Sequence, residues 1–110
     1  MRDDRVYLQH IRDAIEDITA YCGNDHDAFL GDRMRQDATL RKLEVIGQAA
    51  KNLSEQTKLR EAGIPWKQIA GMRDKVSHDY FGVNLEIVWG VVQKELPKLR
   101  AAIATLLEQL

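Results

Sequence analysis

The sequence predicts an all-α protein, an antiparallel bundle of four main helices plus one or two short helices. Apolar residues recur at helical spacing over most of the chain, and this periodicity is the primary signal for amphipathic helices. No stretch shows the alternation of a strand, and the segments between the helical patterns are short. Short connections favour antiparallel neighbours. The length of 110 residues fits a single domain over residues 1–110.

The first half of the chain contains three of the predicted helices. The first is expected from about Asp3 to Cys22, where apolar residues form one stripe, and Gly23 to Asp25 should end it. A short helix is expected over residues 25–31. A third should follow Asp37, whose carboxylate can cap its first turn. Small residues on the seam of this third helix would let another helix approach closely: Gly47, Ala49 and Ala50.

The second half is expected to hold a connector and two further helices. Residues 54–63 are polar and should form a helical turn and connector, anchored by Leu59. The next helix begins near Pro65, since the fixed φ of proline suits the first helical turn. Asn84 should cap a last long helix that runs to the C-terminus. Pro97 should kink that helix, because its ring displaces a carbonyl and removes a hydrogen bond.

The composition bounds the class of protein. Hydrophobic residues make up 45% and charged residues 30%, which is typical of a soluble globular domain. The net charge of −1 argues against a strongly basic nucleic-acid-binding protein but is compatible with a local basic cleft. A single cysteine, Cys22, and no signal sequence favour the reducing cytoplasm. No apolar run approaches the roughly 18 residues that span a bilayer. No cluster of Cys and His has metal-ligand spacing, so neither a membrane segment nor a metal site is expected.

Several isolated polar residues have a structural or solvated interpretation. His10 lies beside the apolar stripe of the first helix and is interpreted as structural or surface-exposed rather than catalytic. His26 and Asp27 lack a third ligand nearby and should form a solvated turn. Four basic residues near the third helix form either a solvated helix start, which is slightly favoured, or an edge that meets phosphates: Arg33, Arg35, Arg41 and Lys42.

The stretch from Ile64 to Val83 organises the chain. Arg73 lies within its apolar helical face, where an unpaired buried charge would be costly, so this arginine either snorkels or has a function. His78 follows five residues later. It could simply cap the helix or pair with Asp74, four residues before it. The apolar and aromatic members of the face are Trp66, Ile69, Val76 and Tyr80.

Arg73, His78 and Tyr80 form the pattern R-x-x-x-x-H-x-Y. The pattern is preceded by I-P-W-K-Q-I-A-G-M and followed by F-G-V. With these flanks the stretch resembles the HepT-like branch of the HEPN superfamily, and the rest of the chain is compatible in length and helix order. The resemblance implies a small all-helical homodimer that acts as a metal-independent endoribonuclease, with no cofactor. It further implies the toxin of a HEPN/MNT toxin–antitoxin pair, whose nucleotidyltransferase antitoxin transfers AMP to the motif tyrosine, here Tyr80.

The residue types fit RNA cleavage without a metal. The 2′-OH of RNA is the nucleophile, so the enzyme needs a base, an acid and positive charge near the phosphorus. Histidine suits the first two roles, and the planar fork of arginine matches phosphate oxygens. Because one chain offers a single motif histidine, a two-fold dimer would bring two copies of Arg73 and His78 into one cleft.

The sequence leaves several points open. Positions five apart on an unbroken helix point about 140° away from each other, so either the helix loosens near Ser77 or the long Arg73 side chain bridges the gap. Asp74 is better placed to orient the His78 imidazole. Tyr80 is either the nucleotidylated residue, whose adduct would repel RNA phosphate, or a packed aromatic. The alternative function is a non-catalytic helical dimer that binds a nucleotidyltransferase or nucleic acid.

Overall fold

The computed structural model describes residues 3–78 and 84–110, and at residues 75–78 it describes the helical backbone alone. Regular structure in these ranges is entirely helical, as predicted. In chain order the helices are α1 (Asp4–Cys22), α2 (His26–Gly31), α3 (Arg33–Asn52), α4 (Glu55–Leu59), α5 (Trp66–His78), α6 (Leu85–Gly90) and α7 (Leu96–Gln109).

A π-helical turn (Val91–Glu95) joins α6 to α7, so the described chain has four long helical segments and two short ones, as predicted. The Leu96 N–H donates to the Val91 carbonyl, five residues back. Pro97, expected to kink this segment, stands in the first turn of α7, where a proline needs no N–H partner. The helix therefore widens locally to π geometry before the proline and continues beyond it. Asn84 caps α6 as predicted, since its side chain accepts from the backbone N–H groups of the first turn.

The prediction that Asp37 caps the third helix is wrong. α3 begins at Arg33, and the Asp32 carboxylate accepts hydrogen bonds from the backbone N–H groups of Met34 and Arg35 at 2.9 and 3.3 Å. Asp32 takes the role because the backbone there is extended, with φ −125° and ψ 103°, which is the geometry of an N-cap. Asp37 lies a full turn inside the helix.

α1 runs antiparallel to α3. The Cys22 Sγ at the end of α1 lies 3.2 Å from the Thr39 Oγ1 near the start of α3. At the other end, the Asp4 carboxylate accepts from the Ser54 N–H, just beyond α3. Burial of each large apolar side chain between these helices and α7 contributes roughly 1.5–3 kcal/mol. The side chains that lose essentially all solvent contact are Leu8, Ile11, Ile18, Phe29, Ile46, Ala50, Ile103 and Leu106.

Polar contacts anchor α4, and the expectation that Leu59 anchors it is wrong, because that side chain is 72% exposed. The Asp4 carboxylate accepts from the hydroxyls of Ser54 and the buried Thr57 at 2.5 and 2.6 Å. The buried Trp66 donates its indole N–H to two backbone carbonyls within residues 58–61, at 3.0 and 3.1 Å. These bonds fix the connector and hence the start of α5.

His26 links α2 to α6 and is no solvated turn residue. Its Nε2 lies 2.7 Å from the Glu86 Oε1. Its ring centroid lies 5.1 Å from that of Trp89, which also contacts Phe29. Local sequence patterns do not reveal this contact, because His26 and Glu86 are 60 residues apart.

Candidate active site

The close crossing of α3 and α5 fixes the backbone at Arg73. A Cβ placed on Gly47 would lie 2.7 Å from the Arg73 backbone nitrogen and 3.1 Å from the Ile69 carbonyl oxygen. Carbon atoms in ordinary contact lie about 3.5–4.0 Å apart, so at this position the fold requires a residue without a side chain. The predicted close approach is confirmed at Gly47, and it locates the motif arginine relative to α3.

The Arg73 side chain is 43% exposed and bonded to its neighbour. Its Nη1 donates to the Asp74 Oδ1 at 3.2 Å. A partly exposed pair of this kind contributes only about 0–1 kcal/mol, so the guanidinium can exchange a carboxylate for a phosphate at small cost. The Asp74 carboxylate thus contacts Arg73, and its expected role in orienting the His78 imidazole stays a prediction.

Arg73 lines a groove of about 320 Å³ between α1, α3 and α5. α1 contributes an aromatic pair, α3 contributes a polar row, and α5 contributes the guanidinium. We call this feature the Arg73 groove. Its lining residues are Tyr7, His10, Arg41, Glu44, Val45, Gln48, Ala49, Asn52 and Arg73.

The charges of the Arg73 groove are largely balanced. Arg41 lies 4.0 Å from the Glu44 carboxylate on the next turn of α3, and Arg73 is bonded to Asp74. Balanced charge agrees with the chain's net charge of −1. The groove therefore offers two guanidinium forks for hydrogen bonding rather than an extended basic field.

Two further basic residues of the predicted edge, Arg35 and Lys42, are engaged in ion pairs, which supports the favoured solvated interpretation. Arg35 pairs with Asp32 at 3.4 Å, and Lys42 pairs with Asp17 of α1 at 2.9 Å. The hydrogen bond that Lys42 donates to the Asp17 carboxylate raises the pKa of Lys42 above its ordinary value. Of the four residues of the predicted edge, Arg41 alone lines the Arg73 groove.

His10 is the residue of this groove whose position the sequence did not reveal. Its side chain is exposed, and its ring stands edge-on to Tyr7 with centroids 6.3 Å apart and planes at 85°. A spacing of i, i+3 on α1 puts the two rings on one helical face. That pattern alone does not tell which other helix borders the face, so the link to Arg73 needed the fold.

A second groove, of about 590 Å³, lies between α5 and the α6–α7 segment. Met72 faces it while the adjacent Arg73 lines the first groove, so α5 separates two surfaces of different chemistry. The second groove is mainly apolar, and its aliphatic lining includes Ile64, Ile69, Met72, Val91, Leu96 and Leu99.

Two predicted site residues are not located relative to Arg73. His78 ends α5, but its imidazole falls outside the described side chains, and Tyr80 falls outside the described residues altogether. Convergence of Arg73 with His78 stays a prediction. Within residues 3–78 and 84–110 no helix is long and apolar enough to cross a membrane. In the same part of the chain, no group of three or more His, Cys, Asp or Glu residues could hold a metal ion.

Comparison with known proteins identifies the family. A family model described as "Ribonuclease HepT-like" matches residues 11–106. A Thermococcus cleftensis protein named probable ribonuclease HepT is 40% identical over 103 residues, covering 90% of this chain and 91% of that relative. A Caldanaerobacter subterraneus subsp. tengcongensis protein named "Putative RNase" is 40% identical over 110 residues, covering 99% of this chain and 98% of the relative.

The chain matches about half of one relative. A Methanocaldococcus jannaschii protein named "Gamma-glutamylcyclotransferase and putative RNase" is 41% identical over 110 residues, and the chain spans about half of its length, 50%. No solved structure matches. The family match over residues 11–106, together with identities of 40% over nearly the whole chain, shows that the protein belongs to the HepT-like ribonuclease family.

Proposed function

We propose that this chain is an endoribonuclease that cleaves RNA without a metal ion, through Arg73 and His78. The observation that carries the proposal is membership of a ribonuclease family combined with an intact R-x-x-x-x-H motif. The position of Arg73 supports it further. Its backbone is fixed against α3, and its guanidinium is partly exposed in a groove wide enough for a nucleotide-sized ligand.

Each motif residue has a defined chemical role in this proposal. His78 accepts the proton of the 2′-OH as that oxygen attacks phosphorus, and the same residue type protonates the departing 5′ oxygen. Arg73 donates hydrogen bonds to the phosphate oxygens as negative charge develops on them. Asp74 orients the His78 imidazole, and its hydrogen bond from Arg73 gives way to phosphate when RNA binds. The bond formed is 2′-O–P, and the bond broken is P–5′-O.

A homodimer completes the proposed site, because one motif histidine cannot act as base and acid in the same step. Two chains related by a two-fold axis would supply two copies of Arg73 and His78. The small residues Gly47, Ala49 and Ala50 are buried within the chain itself. A dimer is therefore expected from the need for two histidines and not from these residues.

Control by a nucleotidyltransferase antitoxin is the remaining part of the proposal, and its target is Tyr80. An AMP group on that hydroxyl would place phosphate charge two residues from His78. Such a charge can pair with Arg73 and occupy the position of the substrate phosphate. The protein would then act as the toxin of a toxin–antitoxin pair.

The test is cleavage of RNA by purified protein with a chelator present. Arg73→Ala and His78→Ala should each lower the rate roughly a hundredfold or more, as expected for general acid–base groups and phosphate ligands. Arg12→Ala is the matched control. Arg12 is also 43% exposed and bonded to the next residue, Asp13, at 3.2 Å, but it lies outside the Arg73 groove.

Three results would overturn the proposal in different ways. Folded His78→Ala protein that cleaves at the wild-type rate would refute the catalytic assignment. A wild-type protein that binds RNA but yields no products would support the non-catalytic alternative, which the balanced charges of the groove favour. Light scattering that finds only monomers at micromolar concentration would refute the shared cleft.

A further inference from the structure

We propose that the Arg73 groove is a nucleotide subsite for single-stranded RNA, in which the His10 imidazole stacks on a base adjacent to the scissile phosphate. This inference deepens the proposed function, on which it rests for the choice of RNA as ligand. It assigns a role to a residue of α1, far in sequence from the R-x-x-x-x-H motif.

The shape of the groove fits this ligand. It follows α3 from Arg41 to Asn52, twelve residues or roughly 16 Å of helix. Its volume of about 320 Å³ lies at the lower end of the range for small-ligand pockets. A single nucleotide with its phosphate is a ligand of that class, and the open ends of a surface groove allow the strand to continue.

The chemistry of the walls also fits. Arg73 at one wall donates to phosphate oxygens, as in the proposed reaction. The exposed Gln48 on α3 offers both a donor and an acceptor to a base edge. The lining includes one carboxylate, that of Glu44, which lies 4.0 Å from the Arg41 guanidinium.

In this proposal, the imidazole of His10 is the ring on which the base stacks. Its side chain is exposed, and the half-buried Tyr7, which packs against the core, holds it in an edge-to-face arrangement. A stacked base would contact the exposed ring of His10, while Tyr7 acts as a positioning residue. Stacking of a base on an aromatic ring accepts any base and contributes enough to change affinity between about fivefold and a hundredfold.

The test is binding of a short fluorescent RNA whose riboses carry 2′-O-methyl groups, so that the nucleophile is blocked. We expect His10→Ala to raise the Kd roughly tenfold, within the range for loss of one stacked base. His10→Phe should recover most of the affinity, because the ring alone is required. On cleavable RNA, His10→Ala should raise KM and leave kcat within about twofold, since stacking acts on binding and not on the reacting atoms.

His26→Ala is the control, because it removes another partly exposed histidine that lies outside the groove. It should leave the Kd unchanged. A Kd for His10→Ala within twofold of wild type would refute the subsite. If His10→Phe binds as weakly as His10→Ala, stacking is refuted. Stacking is also refuted if the Kd of both variants depends less on salt than that of wild type, because such a change would indicate that His10 makes a cationic contact with phosphate.

The outcomes separate this inference from the proposed function. Loss of cleavage in Arg73→Ala with wild-type behaviour of His10→Ala would leave the ribonuclease proposal intact and remove the subsite. Binding that depends on His10, in a protein that yields no products from cleavable RNA, would keep the subsite and remove the catalytic proposal.

Discussion

Gly47→Ala should both destabilise the protein and impair the site, because its new methyl group meets backbone atoms. The Cβ would lie 2.7 Å from the Arg73 nitrogen and 3.1 Å from the Arg73 Cβ. Ordinary contact at about 3.5 Å requires α3 and α5 to separate by roughly 0.8 Å. Overpacking costs about 1–3 kcal/mol, and alanine regains about 1 kcal/mol of helix propensity, so we expect a net loss of up to about 2 kcal/mol.

This loss is measurable by thermal denaturation. For a domain of this size each kcal/mol lowers Tm by roughly 4 °C or more. A shift of the Arg73 backbone approaching 1 Å should in addition lower RNA cleavage by at least about tenfold under conditions where the variant is folded. The same variant should retain its helical content by circular dichroism.

Gly71→Ala is the matched control on α5. Its Cβ would meet no atom within 4 Å, so the substitution adds only helix propensity, about 1 kcal/mol in favour of the fold. The two variants should therefore shift Tm in opposite directions. A Gly47→Ala protein with an unchanged or higher Tm and undiminished cleavage would refute the claim that this glycine sets the position of Arg73.

Two further predictions concern Cys22 and Tyr80. Burial raises the pKa of the Cys22 thiol above its ordinary value, so a thiol reagent should modify it only as fast as the protein unfolds. As pH rises, the Cys22 thiol ionises in the unfolded state at a lower pH than in the folded state. The free energy of unfolding should therefore fall with pH above the ordinary thiol pKa, and Cys22→Ala should remove this contribution to the pH dependence. Tyr80→Phe should keep most of its cleavage activity but gain no AMP mass after incubation with ATP and the cognate nucleotidyltransferase. Equal mass gain in wild type and variant would place the modification elsewhere.

The helical fold could be predicted from sequence because it depends on local signals. The apolar stripe of α1, the Gly23 stop and the Asn84 cap each act within a few residues, and the structure contains all three. The start of α3 was missed since Asp32 and Asp37 are both good caps, and the choice between them follows from the extended backbone after α2. Local preference does not decide between two competent residues one turn apart.

The site was predictable only in part, because its groove depends on contacts between distant segments. The motif identified Arg73 directly. His10 joins it only because α1 and α5 both border α3, an arrangement that no pattern within α1 reveals. Leu59 was misjudged for a related reason. An apolar residue in a short helix is a natural anchor, but the Asp4 carboxylate and the Trp66 indole satisfy that region through polar contacts instead.

Arg73 combines a closely packed backbone with a partly exposed side chain, and this combination suits phosphate binding. The Gly47 crossing holds the Arg73 backbone against α3, so the proposed phosphate contact would require little further ordering of that backbone. The guanidinium, in contrast, is held by a partly exposed carboxylate one residue away, a weak contact. A phosphate that binds two donor groups of the fork can replace that carboxylate at small cost. An arginine held by a buried carboxylate would lose this ability, because separation of a buried pair costs several kcal/mol.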